Sequence, residues 1–383
     1  MGGDTAKIEH AIELLEEAMA RDADFGLADS LLAQASFDLY WQEPHWPVDL
    51  ARAVKALDDA QRLAPDAGET HFAQAYRYYY DERDYNRTLG GLETAINLLP
   101  NNAEVFGFAS RLDRRLNRWT DSIRHYLKAA ELDPRESRYP YELHLTYRIM
   151  RRYREADEIA DHAIAAFPEG SDTFWLGKSE AALDQGDTVR ARKDMERVSS
   201  PNWYLLYRLS LCERNFAEAE RARAGLAQDK EQSAVYPPSF WAVCIARFQG
   251  NREKALSSRP EARQAFQTLL HENSDHPGGH ASLTLLDALI GSREDALREM
   301  HRARELVPLS RDSLTGMDFE VGLATVYAWI GERDKAIEQL AFLIKSPGSP
   351  SCGNLRLDPV WDPLREDPRF EKLIAEAARP LPF

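Results

Sequence analysis

The sequence predicts an all-α protein in which pairs of helices repeat along the chain and stack into a solenoid. Two observations carry this prediction. Prolines that close successive units stand at positions 65, 100, 134 and 168, which are spaced 35, 34 and 34 residues apart. Each unit contains two stretches of helical pattern with a short break between them, as at Arg118-Trp119 and Arg152-Tyr153. A fixed period of this length is the signature of a helical repeat array.

The positions inside each unit repeat as well. Small residues stand early in each predicted second helix, and a further small or apolar residue follows seven positions later in most units. The early positions are Ala53, Ser122, Ala156, Ala191, Ala219, Ala255, Ala296 and Ala336, and the later ones are Ala60, Ala129, Ala163 and Ala303. Small side chains at these places allow two helices to nest closely. We therefore expect all of these residues to be buried between helices.

Aromatic residues and glycines complete the pattern. Large rings occupy one position of the first helix, and glycines occupy the break between the two helices, where a tight turn needs positive φ. The rings are Tyr79, Tyr147 and Tyr327, and the glycines are Gly186, Gly250 and Gly331.

With these positions, the chain resembles the tetratricopeptide repeat (TPR) family. The likeness is strongest in WTDSIRHYLKAAELDP, residues 119–134, and in YAWIGERDKAIEQL, residues 327–340. It implies a right-handed superhelix of about nine helix pairs, whose concave groove is lined mainly by residues of the first helices. Proteins of this family are expected to hold a peptide or a partner protein in that groove.

The predicted organisation is a solenoid over residues 4–346, regular in 69–168 and 278–343 and irregular in 200–277. Its first helix, Thr5–Asp22, has no partner before it. A loop, Trp41–Asp49, interrupts the next unit, and Pro260 is expected to break or restart a second helix.

Residues 347–383 are expected to form an Asp-Pro-rich loop and a C-terminal capping helix. The stretch LRLDPVWDPLREDPRFEKLI, residues 355–374, contains three Asp-Pro steps and then the apolar stripe of Phe370, Leu373 and Ile374. It is similar to the end of the TPR regions that follow catalytic or DNA-binding domains in bacterial adenylate cyclases, serine/threonine kinases and winged-helix regulators. That likeness implies a regulatory or scaffolding module.

Composition limits the possible functions. A net charge of −15 and a pI of about 5.2 argue against nucleic acid as a partner, because phosphate would meet like charge. The cysteines, Cys212, Cys244 and Cys352, form no CxxC pair and suit a reducing cytoplasm. No run of eighteen apolar residues occurs, so no membrane partner is expected. We expect a cytoplasmic protein without a cofactor.

Catalytic motifs are not evident. His271-Glu272 is followed by a histidine at 276, one residue too late for the HExxH zinc motif, and Pro277-Gly278-Gly279 is expected to break any helix before His280. No nucleophile elbow, phosphate loop or dinucleotide fingerprint is present. The sequence therefore predicts no enzyme and no metal site.

Charge distribution suggests where a partner would bind. Residues 103–154 contain twelve Lys and Arg against seven Asp and Glu, an excess of five positive charges in an acidic chain. Arginines can fork onto carboxylates, so an acidic peptide or a C-terminal carboxylate is the expected ligand, although arginines that simply pair with acidic neighbours are the simpler interpretation. The candidate groove residues are Arg77, Arg111, Arg114, Arg138, Tyr141, Arg148, Tyr204 and Arg208.

Two aromatic clusters have a similar ambiguity between packing and binding. One surrounds Tyr76 to Tyr85, and the other is Trp41, His45 and Trp46 in the inserted loop.

The preferred function is a non-enzymatic protein-interaction scaffold that binds a peptide or partner protein. The alternatives are a regulatory or sensory arm of a larger signalling or transcription protein, and a helical-repeat enzyme or small-ligand receptor with its site in the lumen.

Overall fold

The computed structural model describes residues 2–41, 47–229 and 236–381. Within these ranges the chain is helical and contains no strand. It divides into two compact units, Met1–Tyr139 (unit 1) and Pro140–Phe383 (unit 2). The predicted fold class, a TPR-like α-solenoid with a C-terminal capping helix, is confirmed.

Unit 1 begins with a single helix and continues with helix pairs. Its helices are α1 (Gly2–Arg21), α2 (Gly26–Trp41), α3 (Pro47–Leu63), α4 (Gly68–Tyr80), α5 (Tyr85–Leu98), α6 (Ala103–Arg115) and α7 (Trp119–Leu132). Helix α2 pairs with α3, α4 with α5, and α6 with α7. The predicted leading helix is present as α1, and it packs on α2 through Ile8, Ile12, Leu15 and Met19.

The helix that starts at the end of unit 1 is α8 (Arg138–Ile149), and unit 2 then continues the pairs. Its further helices are α9 (Tyr153–Ala166), α10 (Ser171–Gln185), α11 (Thr188–Met195), α12 (Trp203–Cys212), α13 (Phe216–Leu226), α14 (Pro238–Phe248), α15 (Arg252–Glu272), α16 (Pro277–Ile290), α17 (Arg293–Leu306), α18 (Thr315–Trp329), α19 (Arg333–Leu343), α20 (Cys352–Leu357) and α21 (Pro368–Ala377). Short 3-10 helices lie at Pro168–Gly170 and Pro359–Leu364.

The small residues predicted to lie between paired helices are buried. All eight early positions, from Ala53 to Ala336, have no exposed surface, and the later position is at most 3% exposed in Ala60, Ala129, Ala163 and Ala303. A larger side chain at these places would push the paired helices apart, because protein interiors have few voids. Close nesting of helices therefore explains why the pattern repeats.

Apart from Gly348, the described residues with positive φ lie in the turns between first and second helices. Gly186, Gly250 and Gly331 have φ of 84°, 77° and 86°, as the sequence predicted. The same turn position is occupied by Arg83, Asn117, Arg151 and Arg214, with φ between 53° and 59°. This position defines the repeat even where no glycine marks it.

Three expectations about breaks were wrong. Trp41 is the last residue of α2 and Asp49 lies inside α3, so the interruption is shorter than the predicted loop; His45 and Trp46 lie outside the described residues. Helix α15 continues through Pro260. Pro260 and Leu256, whose carbonyl loses its helical partner, are both exposed, so water can satisfy that carbonyl.

The third correction concerns residues 277–279. Pro277 begins α16 instead of breaking a helix, because a proline at the first helical position loses no hydrogen bond. The His276 side chain caps this helix and accepts a hydrogen bond from the Gly279 amide at 2.9 Å.

The tyrosine-rich cluster of unit 1 belongs to its core. Tyr76, Tyr79, Tyr80 and Tyr85 are each at most 6% exposed, and the ring of Tyr76 stacks on Phe108 with 4.3 Å between centroids. Packing is therefore the correct interpretation of this cluster.

The C-terminal segment closes unit 2. Phe370, Leu373 and Ile374 of α21 are at most 6% exposed and share a core with α19, as the apolar stripe predicted. Asp358 and Asp367 cap the helices that follow them, and Trp361 between them is 1% exposed.

Candidate functional site

Polar side chains from successive first helices meet in unit 1. The Tyr80 hydroxyl donates to Asp38 Oδ1 at 3.0 Å and accepts from Arg111 Nη1 at 3.2 Å. Arg111 Nη2 also donates to Glu104 at 3.2 Å, and the same carboxylate pairs with Arg138. These five residues lie on α2, α4, α6 and α8, and we call them the unit 1 row. Each of these side chains forms a hydrogen bond with a residue on another helix or on another turn of the same helix.

The unit 1 row contains two carboxylates, Asp38 and Glu104, and two guanidiniums, Arg111 and Arg138. Burial raises the pKa of the Asp38 carboxyl to about 6, and the Arg111 guanidinium opposes that rise. On the other side of Tyr80, the two guanidiniums of Arg111 and Arg138 share the single Glu104 carboxylate. Arg138 is the most accessible of these three, with 44% of its side chain exposed.

The structure separates the other predicted groove residues of unit 1 from this row. Arg77 lies among three carboxylates, at 3.8 Å from Asp58, 3.8 Å from Asp81 and 3.5 Å from Glu82. Arg114 is only 6% exposed and donates to the Tyr126 hydroxyl at 3.1 Å, between α6 and α7. Of the predicted arginines in unit 1, only Arg111 and Arg138 lie together.

In unit 2, the predicted residues Arg148 and Arg208 lie together beside two carboxylates of α10. Arg148 pairs with Glu180 and lies 3.5 Å from Asp184, while Arg208 lies 3.8 Å from Glu180. Burial raises the pKa of Asp184, and the two arginines oppose that rise. The predicted Tyr204 lies next to Arg208, with its ring centroid 5.8 Å from the guanidinium carbon and 5.9 Å from the Trp241 ring. The Tyr141 ring lies 6.4 Å from the Phe174 ring.

Arg148 and Arg208 line a polar cavity of about 340 Å³, which we call the tail cavity. Its walls combine the helices of unit 2 with the segment that follows α19. The lining residues are Arg148, Ile149, Arg151, Tyr153, Asp184, Arg208, Asp318, Val321, Gly348, Ser349, Pro350, Ser351 and Asn354. A second, more apolar cavity of about 320 Å³ shares Asp318 and is lined by Tyr236, Phe240 and Met300, among others.

Arg151 holds the C-terminal segment at the tail cavity. Its guanidinium donates to the Ile344 carbonyl at 3.0 Å, to Ser349 Oγ at 2.6 Å and to the Pro350 carbonyl at 3.1 Å. The residue is 4% exposed, and burial lowers the pKa of its guanidinium. Sequence reasoning missed Arg151. It occupies the same turn position as Gly186, and that register is the signal that could have identified it.

Further contacts fasten the same segment across unit 2. The Gly348 amide donates to the Ile149 carbonyl at 3.5 Å, and the Ser351 hydroxyl donates to Asp184 at 3.3 Å. Trp329 Nε1 donates to the Val360 carbonyl at 2.8 Å, and Arg214 pairs with Asp362 at 2.6 Å. We call residues 344–362 the tail segment. It crosses the C-terminal ends of the first helices α8, α10, α12 and α18.

The histidine-rich stretch does not assemble a metal site in the part of the chain that the structure describes. His280 lies 2.7 Å from Glu299 and 3.0 Å from the Ser274 carbonyl, while His276 caps α16. Among the described residues, no helix is both long enough and apolar enough to span a membrane.

No family model matches the sequence, and no curated protein matches it. The chain is similar in structure to Pseudomonas aeruginosa PilF, at a TM-score of 0.40 and 18% identity over 52% of this chain and 95% of PilF.

It is also similar to YrrB, described as a TPR protein with an unusual peptide-binding site. The TM-score is 0.36 and the sequence identity 14%, over 49% of this chain and 91% of YrrB. Human IFIT1, solved as a dimer with m7Gppp-AAAA, is similar at a TM-score of 0.47 and a sequence identity of 15%. The match covers 79% of this chain and 68% of IFIT1. At these identities and TM-scores the likeness concerns helical repeats and extends to no ligand or partner.

Proposed function

We propose that this TPR-like solenoid is a non-enzymatic scaffold that binds a peptide segment of a partner protein along the first helices of unit 1. One observation carries the proposal: unit 2 already holds a polypeptide, its own tail segment, at the ends of its first helices. The same repeat architecture in unit 1 presents comparable groups.

The way in which unit 2 holds the tail segment supports peptide binding in general. Arg151 and Trp329 donate to main-chain carbonyls, and Ile149 accepts from a main-chain amide. Main-chain groups are common to every peptide, so such contacts hold a chain without requiring one sequence. Specificity then comes from a few side-chain contacts, such as the pair of Arg214 with Asp362.

Unit 1 offers the corresponding groups. Arg83 stands at the turn position two repeats before Arg151, and here its side chain lies over the Trp41 ring and donates to the Tyr80 carbonyl. In the unit 1 row, Arg111 and Arg138 share the Glu104 carboxylate, and the half-exposed Arg138 guanidinium can also donate to the carboxylate of a ligand. An acidic peptide or a C-terminal carboxylate is therefore the proposed ligand.

Pre-organisation supports the same proposal. The hydrogen bonds from Asp38 through Tyr80 and Arg111 to Glu104 hold these side chains in place before any ligand arrives. Binding then costs less side-chain entropy than it would at a mobile surface. The ligand would be the part that becomes ordered.

A selection experiment with matched variants tests this function. A library of random twelve-residue peptides is selected on the purified protein, and enriched peptides are measured by fluorescence polarisation. Arg138→Glu should weaken their binding at least tenfold, because it places a third carboxylate where the ligand carboxylate would bind. Arg124→Glu is the control, since Arg124 lies on the second helix α7 and is 66% exposed.

Two results would contradict the proposal. One is a library from which no peptide is enriched. The other is a set of enriched peptides that bind the Arg138→Glu and Arg124→Glu proteins equally well. Enriched peptides without acidic residues would contradict the ligand class and retain the scaffold function.

A further inference from the structure

We propose that the tail cavity of unit 2 binds a small organic anion, whose phosphate or carboxylate head contacts Arg151 and Arg208. This site is separate from the unit 1 row, so it does not depend on peptide binding there. It would make the protein a receptor for a small molecule as well as a scaffold.

Arg151 places a buried positive charge in the wall of the tail cavity. Its donors reach two carbonyls and one hydroxyl, all neutral, and it forms no ion pair with any described residue. Its Nε has no hydrogen-bond acceptor in the part of the chain that the structure describes. Asp184 and Glu376 act on this guanidinium only from beyond ion-pair distance. A guanidinium that is 4% exposed and has no ion pair among the described residues is costly. An anion in the adjoining cavity would supply the missing charge.

Arg208 also lines the tail cavity and has N–H groups that a ligand can use. Its polar contacts among the described residues are the 3.8 Å pair with Glu180 and the Tyr204 ring, whose centroid lies 5.8 Å from the guanidinium carbon. A distance of 3.8 Å is too long for a hydrogen bond, so its N–H groups can still donate. A guanidinium offers two parallel donors, which match the two oxygens of a carboxylate or phosphate.

The other walls limit what the anion can be. Arg148 is already engaged by Glu180 and Asp184, so the anionic head belongs at Arg151 and Arg208. Tyr153, Ser349, Ser351 and Asn354 add hydroxyl and amide groups around the cavity. The carboxylates of Asp184 and Asp318 are acceptors in the same lining. A cavity of about 340 Å³ holds roughly ten non-hydrogen atoms at the packing of liquid water. The ligand class is therefore a small anion that also has hydroxyl or amino groups.

Binding would also stabilise the tail segment. Gly348, Ser349, Pro350 and Ser351 form one wall of the cavity, and α8, α10 and α12 form the opposite walls. A ligand that contacts both walls favours the state in which the tail segment is seated. The unfolding temperature of the protein should therefore rise with the concentration of the bound anion.

Isothermal titration calorimetry on the full chain tests the site with two probes. Inorganic phosphate represents phosphorylated ligands, and malate represents hydroxy-carboxylates; both are titrated at constant ionic strength set with sodium chloride. Saturable binding of either probe, with a dissociation constant below about 1 mM, is the expected result. The probe that binds identifies the head group, and binding of neither probe at 10-fold higher concentration overturns the proposal.

Variants locate the binding. Arg208→Gln should weaken the bound probe at least tenfold, while Arg298→Gln should leave it unchanged, because Arg298 lies on α17 with 61% of its side chain exposed and pairs with Asp295. Circular dichroism checks that both variants are folded. If Arg208→Gln does not fold, Arg208→Lys replaces it. The lysine keeps the positive charge but lacks the two parallel N–H donors of the guanidinium, so it should still weaken binding. Equal affinity in the folded Arg208 variant and in the Arg298 variant would place the anion elsewhere and overturn the proposal.

Discussion

At the scale of single residues, the turn after each first helix is the most constrained place in the repeat. One residue there adopts positive φ, which costs a residue with a side chain about 1–2 kcal/mol relative to the right-handed helical region. The residues that do so are Arg83, Asn117, Arg151, Gly186, Arg214, Gly250, Gly291 and Gly331. The arginines at this position adopt the unfavourable backbone conformation, and each places a guanidinium beside the end of a first helix.

Gly250→Ala tests the conformational cost alone. A Cβ at Gly250 would contact no atom within 4 Å, so the substitution adds backbone strain without a clash. We expect a loss of roughly 1–2 kcal/mol in the free energy of unfolding, seen as a lower midpoint in urea. Gly90→Ala is the control: Gly90 also has open space around it but lies inside helix α5, so it should gain about 0.5–1 kcal/mol. Equal effects of the two substitutions would contradict this explanation.

The Asp38 carboxyl gives a prediction about pH. Its pKa is about 6 in the folded protein and 3.8 in an ordinary environment, so the folded state binds more protons between these values. Its contribution is therefore most favourable at low pH and is lost as pH rises through about 6.

Asp38→Asn keeps an oxygen for the Tyr80 hydroxyl and removes the charge. We expect this variant to be more stable than the parent at pH 7.5 by roughly 1–3 kcal/mol, since one pKa unit corresponds to about 1.4 kcal/mol. The difference should shrink below pH 5, and thermal unfolding at both pH values measures it. Asp59→Asn is the control and should make the protein less stable at pH 7.5. The reason is that hydrogen bonds from Arg62 and Lys55 lower the pKa of Asp59, so its charged form stabilises the folded state. A variant that is less stable than the parent at pH 7.5 would refute the prediction.

At the scale of elements, the tail segment is the part of unit 2 that depends on close backbone approach. A Cβ at Gly353 would lie 2.1 Å from the Leu183 carbonyl oxygen and 2.7 Å from that of Asp184. Both oxygens belong to the main chain of α10, so neither can move aside. Glycine is therefore required where the tail segment enters α20.

Gly353→Ala should displace the tail segment and destabilise unit 2 by about 1–3 kcal/mol or more, as overpacking does. Amide hydrogen exchange should increase across residues 346–366, and the unfolding temperature should fall. Gly170→Ala serves as the control, because a Cβ at Gly170 meets no atom within 4 Å. Unchanged exchange in residues 346–366 of the Gly353 variant would show that this contact does not hold the segment.

At the scale of the whole molecule, the charge of −15 determines which polymers the protein can approach. From this net charge we expect the chain as a whole to repel nucleic acid, although residues 103–154 are locally positive. We predict no saturable binding of a fluorescently labelled single-stranded RNA at 150 mM salt, measured by fluorescence polarisation. Saturable binding at micromolar protein concentration would overturn the assignment to peptide ligands.

Local patterns in the sequence determined the helices, their pairing and the closing tail. The eight buried small residues and the apolar stripe of α21 were predictable because each depends only on neighbours within one repeat. The continuity of α15 through Pro260 could not be predicted in this way, because it depends on which side of the helix faces water.

The candidate site was predicted only in part. Arg111, Arg138, Arg148 and Arg208 were named from the register of the first helices, and the structure brings them together in two separate pairs, one in each unit. Which carboxylates neutralise them depends on contacts between helices, and no periodicity shows those contacts.

By itself, therefore, the sequence determined a solenoid of paired helices with a closing segment, since period, small residues and turn residues all act over short distances. Only the tertiary structure decided that this segment runs back to the turn after α8. The contact that proves it joins Arg151 to Ser349, which are 198 residues apart in the chain. The physical reason is that such a contact exists only after the intervening repeats have stacked and placed the buried guanidinium beside the tail segment.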